Sequence, residues 1–439
     1  MNSFLFNSKA LTKIQSSVLI TLIAVAAVSG VTAYVLLNEQ EQSLETIKIG
    51  VCADLDSFYG KVFWQEAVLA AEQVNAEGGV LGMQFEVIGE DDDSTSATAD
   101  VAIATNALTR LITVDKADIL ITSGIAFSSV YQELVSQHKK IMLDGFATAD
   151  ELTQKVLDNY AKYKYYFRIG IPNATSASEG GVDAITTIGE YTSFDKVALV
   201  TQGYEAGTES LTQTVAGLRA FGMEVVYTIT IPPETVDFSS YFAQAEAAGA
   251  EIMYVRNIYP TVSSSFVKEY YERQSPMVLL GLIGGGAQSD FWELTEGKCE
   301  YISCNSYPTS VGYPLTNKTL AFAEAYVERW GTEGIGAIYD AVRYILPDAI
   351  RRAGTIESDA VINALETVNV ETSLARHFVF TASHDIFIGE AGPNKPTADY
   401  FLICIFQWQN GTLVPVYPKE IKEEAGSTYM YPDWPGPWD

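Results

Sequence analysis

The chain has 439 residues, of which 48% are hydrophobic, and it carries a formal net charge of −28. This length allows two or three domains with substantial apolar cores, so disorder is excluded for most of the chain. The strong acidity argues against nucleic acid as a partner, because phosphates require a basic face, and it fits a highly solvated surface in a salty or extracellular setting.

The amino terminus contains an apolar run without charges at residues 18–37, preceded by Lys9 and Lys13 and followed by an acidic segment. About twenty such residues span a bilayer as a helix, whereas the apolar part of a signal peptide is usually about 7–15 residues long. The lysines before the run place everything after it outside the cytoplasm. We therefore predict a transmembrane helix that anchors an extracytoplasmic protein to the membrane. A removed signal peptide is the alternative, and it gives the same location.

From residue 46 onward, short apolar strands alternate with amphipathic helices. Strands are predicted at 47–53, 84–90, 117–124 and 140–146, with helices at 62–76, 96–113 and 128–138. The series restarts near residue 170, with strands at 196–202, 224–231, 251–257 and 277–283 and helices at 207–222, 238–249 and 261–274. Strands that are apolar on both faces and alternate with helices indicate parallel sheets covered on both sides. The restart predicts two lobes of similar architecture.

The last part of the chain has a different pattern. Helices are predicted at 319–330, 337–354 and 358–368, and a hairpin turned at Asn410-Gly411 is predicted within 400–418. The Pro- and Trp-rich tail is predicted to be irregular.

Residues 75–94 end one helix and lead towards the next. Asn75, Gly78 and Gly79 are predicted to end the first helix, because glycine adopts the left-handed conformation without steric penalty. The acidic triplet 91–93 is predicted to cap the following helix, with metal binding as the alternative.

Sequence features of catalysis are missing. The three histidines, His138, His377 and His384, form no zinc signature, and no P-loop or Gly-x-Ser-x-Gly elbow occurs. We therefore expect no enzyme activity, no metal and no cofactor. Cys299 and Cys304 could form a disulfide outside the cell, but an alternating strand would put them on opposite faces, so buried free thiols are favoured.

Several motifs resemble one known family. Residues 59–94 contain N-x-x-G-G-V-x-G followed by a strand ending in Asp, and they closely resemble the solute-binding receptors of branched-chain amino acid ABC transporters. These receptors belong to the type I periplasmic-binding-protein family. The segment FATADELT (146–153) is similar to the family's A-T-S-P-x-L-T loop, residues 198–211 resemble its D-Y-x-Y-G element, and residues 338–354 resemble its late helix. The resemblance covers about residues 46–417.

The resemblance implies an α/β fold with two Rossmann-like lobes, each with a parallel sheet, joined by a three-strand hinge. It also implies a discontinuous layout between a membrane segment with its linker at 1–45 and a tail at 418–439. Lobe I would be residues 46–168 completed by about 303–378. Lobe II would be residues 169–302 completed by about 379–417.

The family's ligand-binding residues can be transferred only where this sequence matches. Thr148 aligns with a threonine that contacts the ligand carboxylate, and Phe146 with a backbone contact. A carboxylate-binding serine of the family falls near Ile125, so either Ser123 or Ser128 serves instead or this contact is absent. In lobe I, Tyr59 lies where a ring often closes over the ligand. The lobe II positions are Tyr204, at the first aromatic of D-Y-x-Y-G, and Arg256, Asn257 and Tyr259, at a strand end facing the cleft.

One departure from the family bears on the ligand. Ile283 lies nearest to the position where amino-acid receptors place an acid to hold the ligand's ammonium group. A buried ammonium without a partner is costly, which disfavours a free α-amino acid as the ligand unless Asp144 or another acid substitutes. An inward-pointing Arg256 would instead suit a carboxylate or another anion.

The function that the resemblance implies is transport. The protein would capture a small molecule (amino-acid-like, amide or carboxylate) by closure of the two lobes and deliver it to an ABC transporter permease. Two alternatives remain open: a sensor ectodomain of the same fold, and a surface or assembly protein with an eroded binding site.

Overall fold

The computed structural model describes residues 45–95, 99–123, 127–203, 208–389, 399–400 and 403–438. The predicted membrane segment at 18–37 and Tyr204 lie outside these residues. Within the described part of the chain, no helix is both long and apolar enough to cross a membrane.

The first half of the molecule is built on a five-stranded parallel sheet with the strand order β2-β1-β3-β4-β5. Its strands are β1 (Thr46–Ala53), β2 (Gln84–Asp91), β3 (Ile119–Thr122), β4 (Ile141–Asp144) and β5 (Tyr166–Arg168). The helices in this part of the chain are α1 (Phe58–Ala76), α2 (Val101–Thr113), α3 (Ser128–His138), α4 (Asp150–Asp158) and α5 (Tyr160–Tyr163). Every residue of β3 and β4 is buried, as expected for parallel strands with helices on both faces.

The second half is built on a seven-stranded sheet with the order β12-β11-β10-β9-β8-β6-β7. Its strands are β6 (Lys196–Gln202), β7 (Glu224–Ile231), β8 (Ile252–Ile258), β9 (Val278–Ile283), β10 (Ser303–Ser306), β11 (Cys404–Gln409) and β12 (Thr412–Tyr417). The helices are α6 (Ala174–Thr192), α7 (Thr208–Ala220), α8 (Ser239–Ala247), α9 (Pro260–Glu272) and α10 (Phe291–Leu294). Strands β11 and β12 form the predicted antiparallel hairpin, and Asn410 and Gly411 take the positive φ angles of 52° and 78° that its tight turn requires.

The remaining helices follow β10, except the last, which follows β12. They are α11 (Pro308–Val311), α12 (Thr319–Trp330), α13 (Ala337–Asp340), α14 (Leu346–Ala353), α15 (Ser358–Leu365) and α16 (Lys419–Glu424). The helix predicted over 337–354 contains a π-helical turn at Ala341–Ile345. Pro347 follows this turn, and because proline has no N–H and its ring crowds the preceding turn, a widened turn here lets the helix continue through it.

The first half has one hydrophobic core, which also contains residues of helices α12 to α15. The second half has a separate core on each face of its sheet, and the one that contains Phe242, Phe266 and Trp408 is called the second core below. Phe322, Ile338 and Ile350 pack in the same core as the β1–β5 sheet. The predicted layout needs two corrections at its edges. Strand β10 pairs with β9 and β11, so residues 303–306 belong to the second sheet and do not complete the first lobe. Phe380 and Ile386 pack in the first core, although they were assigned to the second lobe. The division into two moving lobes stays a prediction.

The helices that were not predicted from the sequence are α4, α5, α6, α10, α11 and α16. Helix α6 has the sequence ATSASEGGVDAITTIGEYT, in which two adjacent glycines and several threonines have low helix propensity. Its buried residues include Val182, Ile185 and Ile188, which pack against the second sheet in a common core. Tertiary packing therefore stabilises a helix that the local sequence does not predict.

The end of α1 follows the predicted pattern. Gly78 and Gly79 have φ angles of 99° and 77°, and the Gly79 N–H donates to the Val74 carbonyl at 2.9 Å. A Cβ at Gly79 would lie 2.0 Å from the Met83 carbonyl oxygen. Glycine is therefore required here both by the backbone angle and by the close approach of the next turn.

The acidic triplet 91–93 does not cap a helix, so that prediction is wrong. Helix α2 begins later in the chain, at Val101, and the Asp100 side chain accepts from the Ala102 N–H at its start. Asp92 is buried and accepts hydrogen bonds from the Tyr131 hydroxyl at 2.7 Å and the Ser94 N–H at 3.0 Å. Among the described residues, no group of three or more potential ligand side chains could hold a metal ion.

The four cysteines are buried and free, as favoured from the sequence for Cys299 and Cys304. The tail after α16 is irregular, as predicted, but it is packed. Trp434 joins the second core, and its indole N–H donates to the Ser275 carbonyl at 2.9 Å.

Candidate functional site

Aromatic side chains line the edge of the first sheet where β1 and β4 end. The ring of Tyr59, near the start of α1, lies 4.4 Å from the ring of Phe146, which follows β4. The Phe146 ring in turn lies 5.3 Å from that of Phe63. Tyr59 is 39% exposed and Phe58 beside it is 52% exposed. Tyr59 and Phe146, which were each predicted as ligand-binding residues, therefore lie side by side at this edge.

The serine hydroxyls expected to bind a carboxylate are directed elsewhere. Ser128 begins α3, and its hydroxyl donates to Asp144 at 2.7 Å. Asp144 also accepts from the N–H groups of Phe146 and Ala147 at 3.2 and 3.1 Å. Burial raises the pKa of the Asp144 carboxyl, which these hydrogen bonds partly offset. Ser123 is buried, with its hydroxyl 3.5 Å from that of Ser94. Both serines thus interact within the first half of the protein.

Two residues predicted at the second-sheet edge hold neighbouring strands together. The Asn257 side-chain amide donates to the Gln202 carbonyl at 3.2 Å, and the Tyr259 N–H donates to the Gln202 side-chain oxygen at 2.9 Å. These hydrogen bonds join the carboxyl ends of β6 and β8, where the pairing is irregular.

The side chain of Ile283, predicted near the ligand, is directed into the protein core. Ile283 is 3% exposed and packs in the second core. Its neighbour Leu282, which points to the opposite face of β9 as alternation requires, is 46% exposed and lines a cavity.

This cavity has a volume of about 240 Å³ and lies where the two halves meet. Thr148 from the first half and Arg256 from the second both line it, so the structure brings together two of the predicted ligand-binding residues. The wall next to the connection between the halves is apolar and contains Ile171, Pro172 and Ile388. The predicted site residues Tyr59, Phe146, Ser123, Ser128, Asn257, Tyr259 and Ile283 do not line it.

Arg256 is the charged residue of this cavity. No described acidic side chain lies within 4 Å of its guanidinium, and no hydrogen bond from it to a described residue is seen. Burial lowers the pKa of the Arg256 guanidinium from its usual value, but an arginine in a protein stays protonated. The described lining residues therefore include a cation and no carboxylate.

Helix α6 forms one wall of the cavity through two glycines. A Cβ at Gly181 would lie 2.9 Å from the Tyr254 hydroxyl oxygen, so glycine allows the helix to approach β8 closely. At Gly180 no atom lies within 4 Å of the position of a Cβ, although the residue lines the cavity. A larger side chain at Gly180 would therefore have room, and it would occupy cavity space.

Several lining residues were missed by the sequence analysis, including Tyr254, Leu282, Asn305 and Tyr417. Alternation along β8 places Tyr254 on the same face as Arg256, so this residue could have been found from the sequence. Asn305 and Tyr417 come from β10 and β12, and only the sheet order brings them to the cavity. The side-chain oxygen of Asn305 is buried without a hydrogen-bond partner among the described residues.

Hydrogen bonds across the connection fix the start of α6 to the first half. The Ala174 N–H donates to the Thr148 carbonyl at 2.8 Å, and the Thr175 hydroxyl donates to Asp150 at 2.6 Å. Nearby, Arg168 and Asp385 form a buried ion pair at 3.1 Å, and Asn173 donates to the same aspartate at 2.8 Å. The cavity wall thus adjoins a hydrogen-bonded junction between the two halves.

Solved structures of other proteins share the fold of this chain. A protein from Silicibacter pomeroyi assigned to a branched-chain amino acid ABC transporter covers 89% of this chain and 100% of its own, with a TM-score of 0.76 and 18% identity. A solute-binding protein of an ABC transporter from R. palustris, in complex with benzoate, covers 84% and 95%, with a TM-score of 0.64 and 18% identity. The fold is therefore that of a periplasmic binding protein.

Sequence comparison assigns the family. A family model for periplasmic binding proteins matches residues 46–394, so the chain belongs to the periplasmic binding protein family. Leu/Ile/Val-binding protein homolog 7 of Brucella abortus is 24% identical over 370 residues, which are 80% of this chain and 85% of the relative. The resemblance seen in residues 59–94 is confirmed.

Proposed function

We propose that this protein is an extracytoplasmic substrate-binding protein of an ABC importer, which captures a small amino-acid-like, amide or carboxylate solute between two lobes. The observation that carries this proposal is the cavity between the halves, where Thr148 and Arg256 meet beside the connecting segments. Family membership supports a receptor function, and the names of the relatives indicate branched-chain amino acids or aromatic carboxylates as solutes.

The proposed mechanism is capture followed by closure. The halves that carry the two sheets act as the lobes, and the connecting segments around Arg168 and Asp385 act as the hinge. Closure would bring the aromatic edge at Tyr59 and Phe146 over the solute, exclude water, and present a closed surface to the permease. No covalent bond is made or broken. The apolar run at 18–37 would hold the protein at the outer face of the membrane.

The first test is a thermal-shift screen of the full-length protein with branched-chain amino acids, amides, and aliphatic and aromatic carboxylates. A ligand at about 100 times its dissociation constant stabilises the folded state by about 2.7 kcal/mol, which raises Tm by several degrees. X-ray scattering of the same samples should show a smaller radius of gyration when the lobes close. Failure of every compound to change either quantity would contradict the proposal.

A substitution in the cavity tests whether this is the binding site. Gly180→Leu should abolish the ligand-induced shift, because its side chain occupies the cavity. The Tm without ligand should stay the same or rise, since replacing a helical glycine gains up to about 1 kcal/mol. Gly180→Ala, which leaves most of the space, is the matched control and should keep binding. Equal ligand-induced shifts for the leucine and alanine variants would place the site elsewhere.

A further inference from the structure

We propose that the solute is a small monocarboxylate with an apolar body and no ammonium group, and that Arg256 in the second half binds its carboxylate. This inference rests on the proposed function and narrows its ligand class. It places the anion-binding group on β8 of the second sheet and leaves the serine hydroxyls of the first half without a role in binding.

The charge of the cavity favours an anionic solute. Arg256 faces the cavity, and among the described residues it has no acidic partner. A partly buried cation without an internal partner is favoured only if solvent or a ligand supplies the counter-charge. A carboxylate matches the planar guanidinium, because two parallel N–H donors can bind both of its oxygens.

Two serine hydroxyls of the first half do not reach the cavity. The Ser128 hydroxyl donates to the buried Asp144 at 2.7 Å, and Ser123 is buried with its hydroxyl 3.5 Å from that of Ser94. Neither serine lines the cavity. Of the three hydroxyl residues predicted to bind a carboxylate, only Thr148 lines the cavity. We therefore assign the binding of the negatively charged carboxylate to Arg256 of the second half.

The described lining of the cavity provides no acidic partner for an ammonium group of the solute. The described lining contains no aspartate or glutamate. Asp183 does not line the cavity, but it accepts a hydrogen bond from the hydroxyl of the lining residue Tyr417 at 2.7 Å. A solute ammonium group in this cavity would have to give up its hydration next to Arg256, and none of the described lining residues supplies an anion to compensate. The charge pattern therefore selects against free α-amino acids.

The apolar part of the lining indicates the body of the solute, while Ser176, Tyr254, Asn305 and Tyr417 add polar groups to the walls. Ile171, Pro172, Leu282, Ile388 and Ile405 give the cavity apolar walls, and the glycines of α6 leave space between them. Apolar surface is removed from water when a hydrocarbon chain or ring fills such a cavity. A short branched alkyl chain or a single aromatic ring suits a volume of about 240 Å³.

Isothermal titration calorimetry of the full-length protein at neutral pH tests the ligand class. The probes are 4-methylpentanoate, its primary amide and leucine, which share one carbon skeleton, with benzoate and benzamide as an aromatic pair. At least one carboxylate should bind. Its amide should bind at least about tenfold more weakly, because the charge-assisted hydrogen bonds to Arg256 are lost. Leucine should bind more weakly than 4-methylpentanoate.

A pair of variants with the same charge change tests the residue. Arg256→Gln should weaken carboxylate binding by about 10- to 100-fold. It should leave Tm without ligand nearly unchanged, since no described residue loses a partner. Arg219→Gln, at an exposed position near the end of α7, removes the same charge away from the cavity and should bind as the wild type does.

The outcomes separate this inference from the proposed function. Preference for leucine or for an amide would overturn the ligand class while supporting a solute receptor. Carboxylate binding that Arg256→Gln leaves unchanged would overturn the role of Arg256 alone. If none of the probes binds and the wider thermal-shift panel is also negative, both the inference and the proposed function fail.

Discussion

Glu66 shows how a single residue joins distant parts of the chain. It lies in the middle of α1, is fully buried, and accepts four backbone hydrogen bonds from the beginning of α13. The Ile335 and Gly336 N–H groups donate to one carboxylate oxygen at 2.7 Å each. The Ile338 and Tyr339 N–H groups donate to the other at 3.0 and 3.1 Å. A carboxylate thus satisfies the free amides of a helix start.

Replacing this acceptor should destabilise the protein. At pH 5 the buried Glu66 side chain is protonated, but both of its oxygens still carry lone pairs that can accept hydrogen bonds. In Glu66→Gln an amide N–H₂, which accepts no hydrogen bond, faces two of the four backbone donors and leaves buried N–H groups without acceptors. We expect the free energy of unfolding to fall by about 2–4 kcal/mol at pH 5, measured by urea denaturation. Glu72→Gln, on the exposed side of α1, removes only a surface ion pair with Arg329 and should cost at most about 1 kcal/mol. Equal losses in the two variants would contradict the role of Glu66.

The effect of Glu66 should depend on pH. Burial raises the pKa of Glu66 from 4.5 to about 7, against the opposing effect of the backbone donors. Between these values the unfolded chain has released this proton while the folded protein keeps it, so the contribution of Glu66 to stability falls as pH rises. The difference in unfolding free energy between wild type and Glu66→Gln should therefore narrow by about 3 kcal/mol from pH 4.5 to 7.5. A constant difference would mean that the backbone donors keep Glu66 ionised throughout.

At the scale of elements, Asn75 links α1 to β2. Its side-chain oxygen accepts from the Phe85 N–H at 2.7 Å, and its side-chain amide donates to the Phe85 carbonyl at 2.8 Å. Since β2 is an edge strand of the first sheet, this pair of bonds occupies backbone groups that no neighbouring strand reaches. The residue was predicted only as part of a helix end, and its bond to the strand is a tertiary feature.

Removing this bridge should weaken the edge of the sheet. Asn75→Ala leaves the Phe85 N–H and carbonyl without partners, and we expect a loss of about 1–3 kcal/mol in unfolding free energy. Hydrogen exchange of the β2 amides should accelerate in the variant. Asn106→Ala, at an exposed position in α2, is the matched control and should lie within about 0.5 kcal/mol of wild type. Unchanged exchange in β2 would show that Asn75 does not secure this strand.

Helices and strands were predicted correctly where their local apolar pattern matches the burial that they have in the folded protein. Strands β6 and β7 and helices α3 and α12 have the predicted bounds, because strong apolar runs between turn residues specify them. Helix α6 was missed because Gly180 and Gly181 lower its propensity. The same glycines are needed for the cavity and for the approach to Tyr254.

At the scale of the whole molecule, the tail stabilises the second half. Trp434 is 4% exposed, lies in the second core and donates its indole N–H to the Ser275 carbonyl. Its ring packs near those of Tyr270, Tyr271 and Tyr301. Trp438 is half-buried and donates to the Trp434 carbonyl at 2.9 Å. The last residues of the chain therefore complete a core formed much earlier in the sequence.

A comparison of the two tryptophans tests this role. Trp434→Ala should lower the free energy of unfolding of the second half by about 3–5 kcal/mol, because a large buried ring is removed. Trp438→Ala, which removes a partly exposed ring, should cost clearly less. Calorimetry of the full-length protein would detect both effects as shifts in Tm. Similar shifts for the two variants would mean that the tail does not complete the core.

The sequence by itself determined the α/β class, the order of most strands and helices, the turns at Gly78-Gly79 and Asn410-Gly411, and the family. These features depend on local patterns: apolar periodicity, and backbone angles that glycine or asparagine favours. Only the tertiary structure decided which residues meet at the cavity. Neighbouring residues of β9 point to opposite faces of the sheet, so a difference of one residue in the alignment decides between core and cavity. Ile283 was predicted near the ligand, but it packs in the core, and Leu282 lines the cavity. The sheet order brings Asn305 and Tyr417 to the cavity that Arg256 lines, and Asp144 accepts the hydrogen bond of the Ser128 hydroxyl. Such contacts join segments far apart in the chain, and no local pattern specifies them.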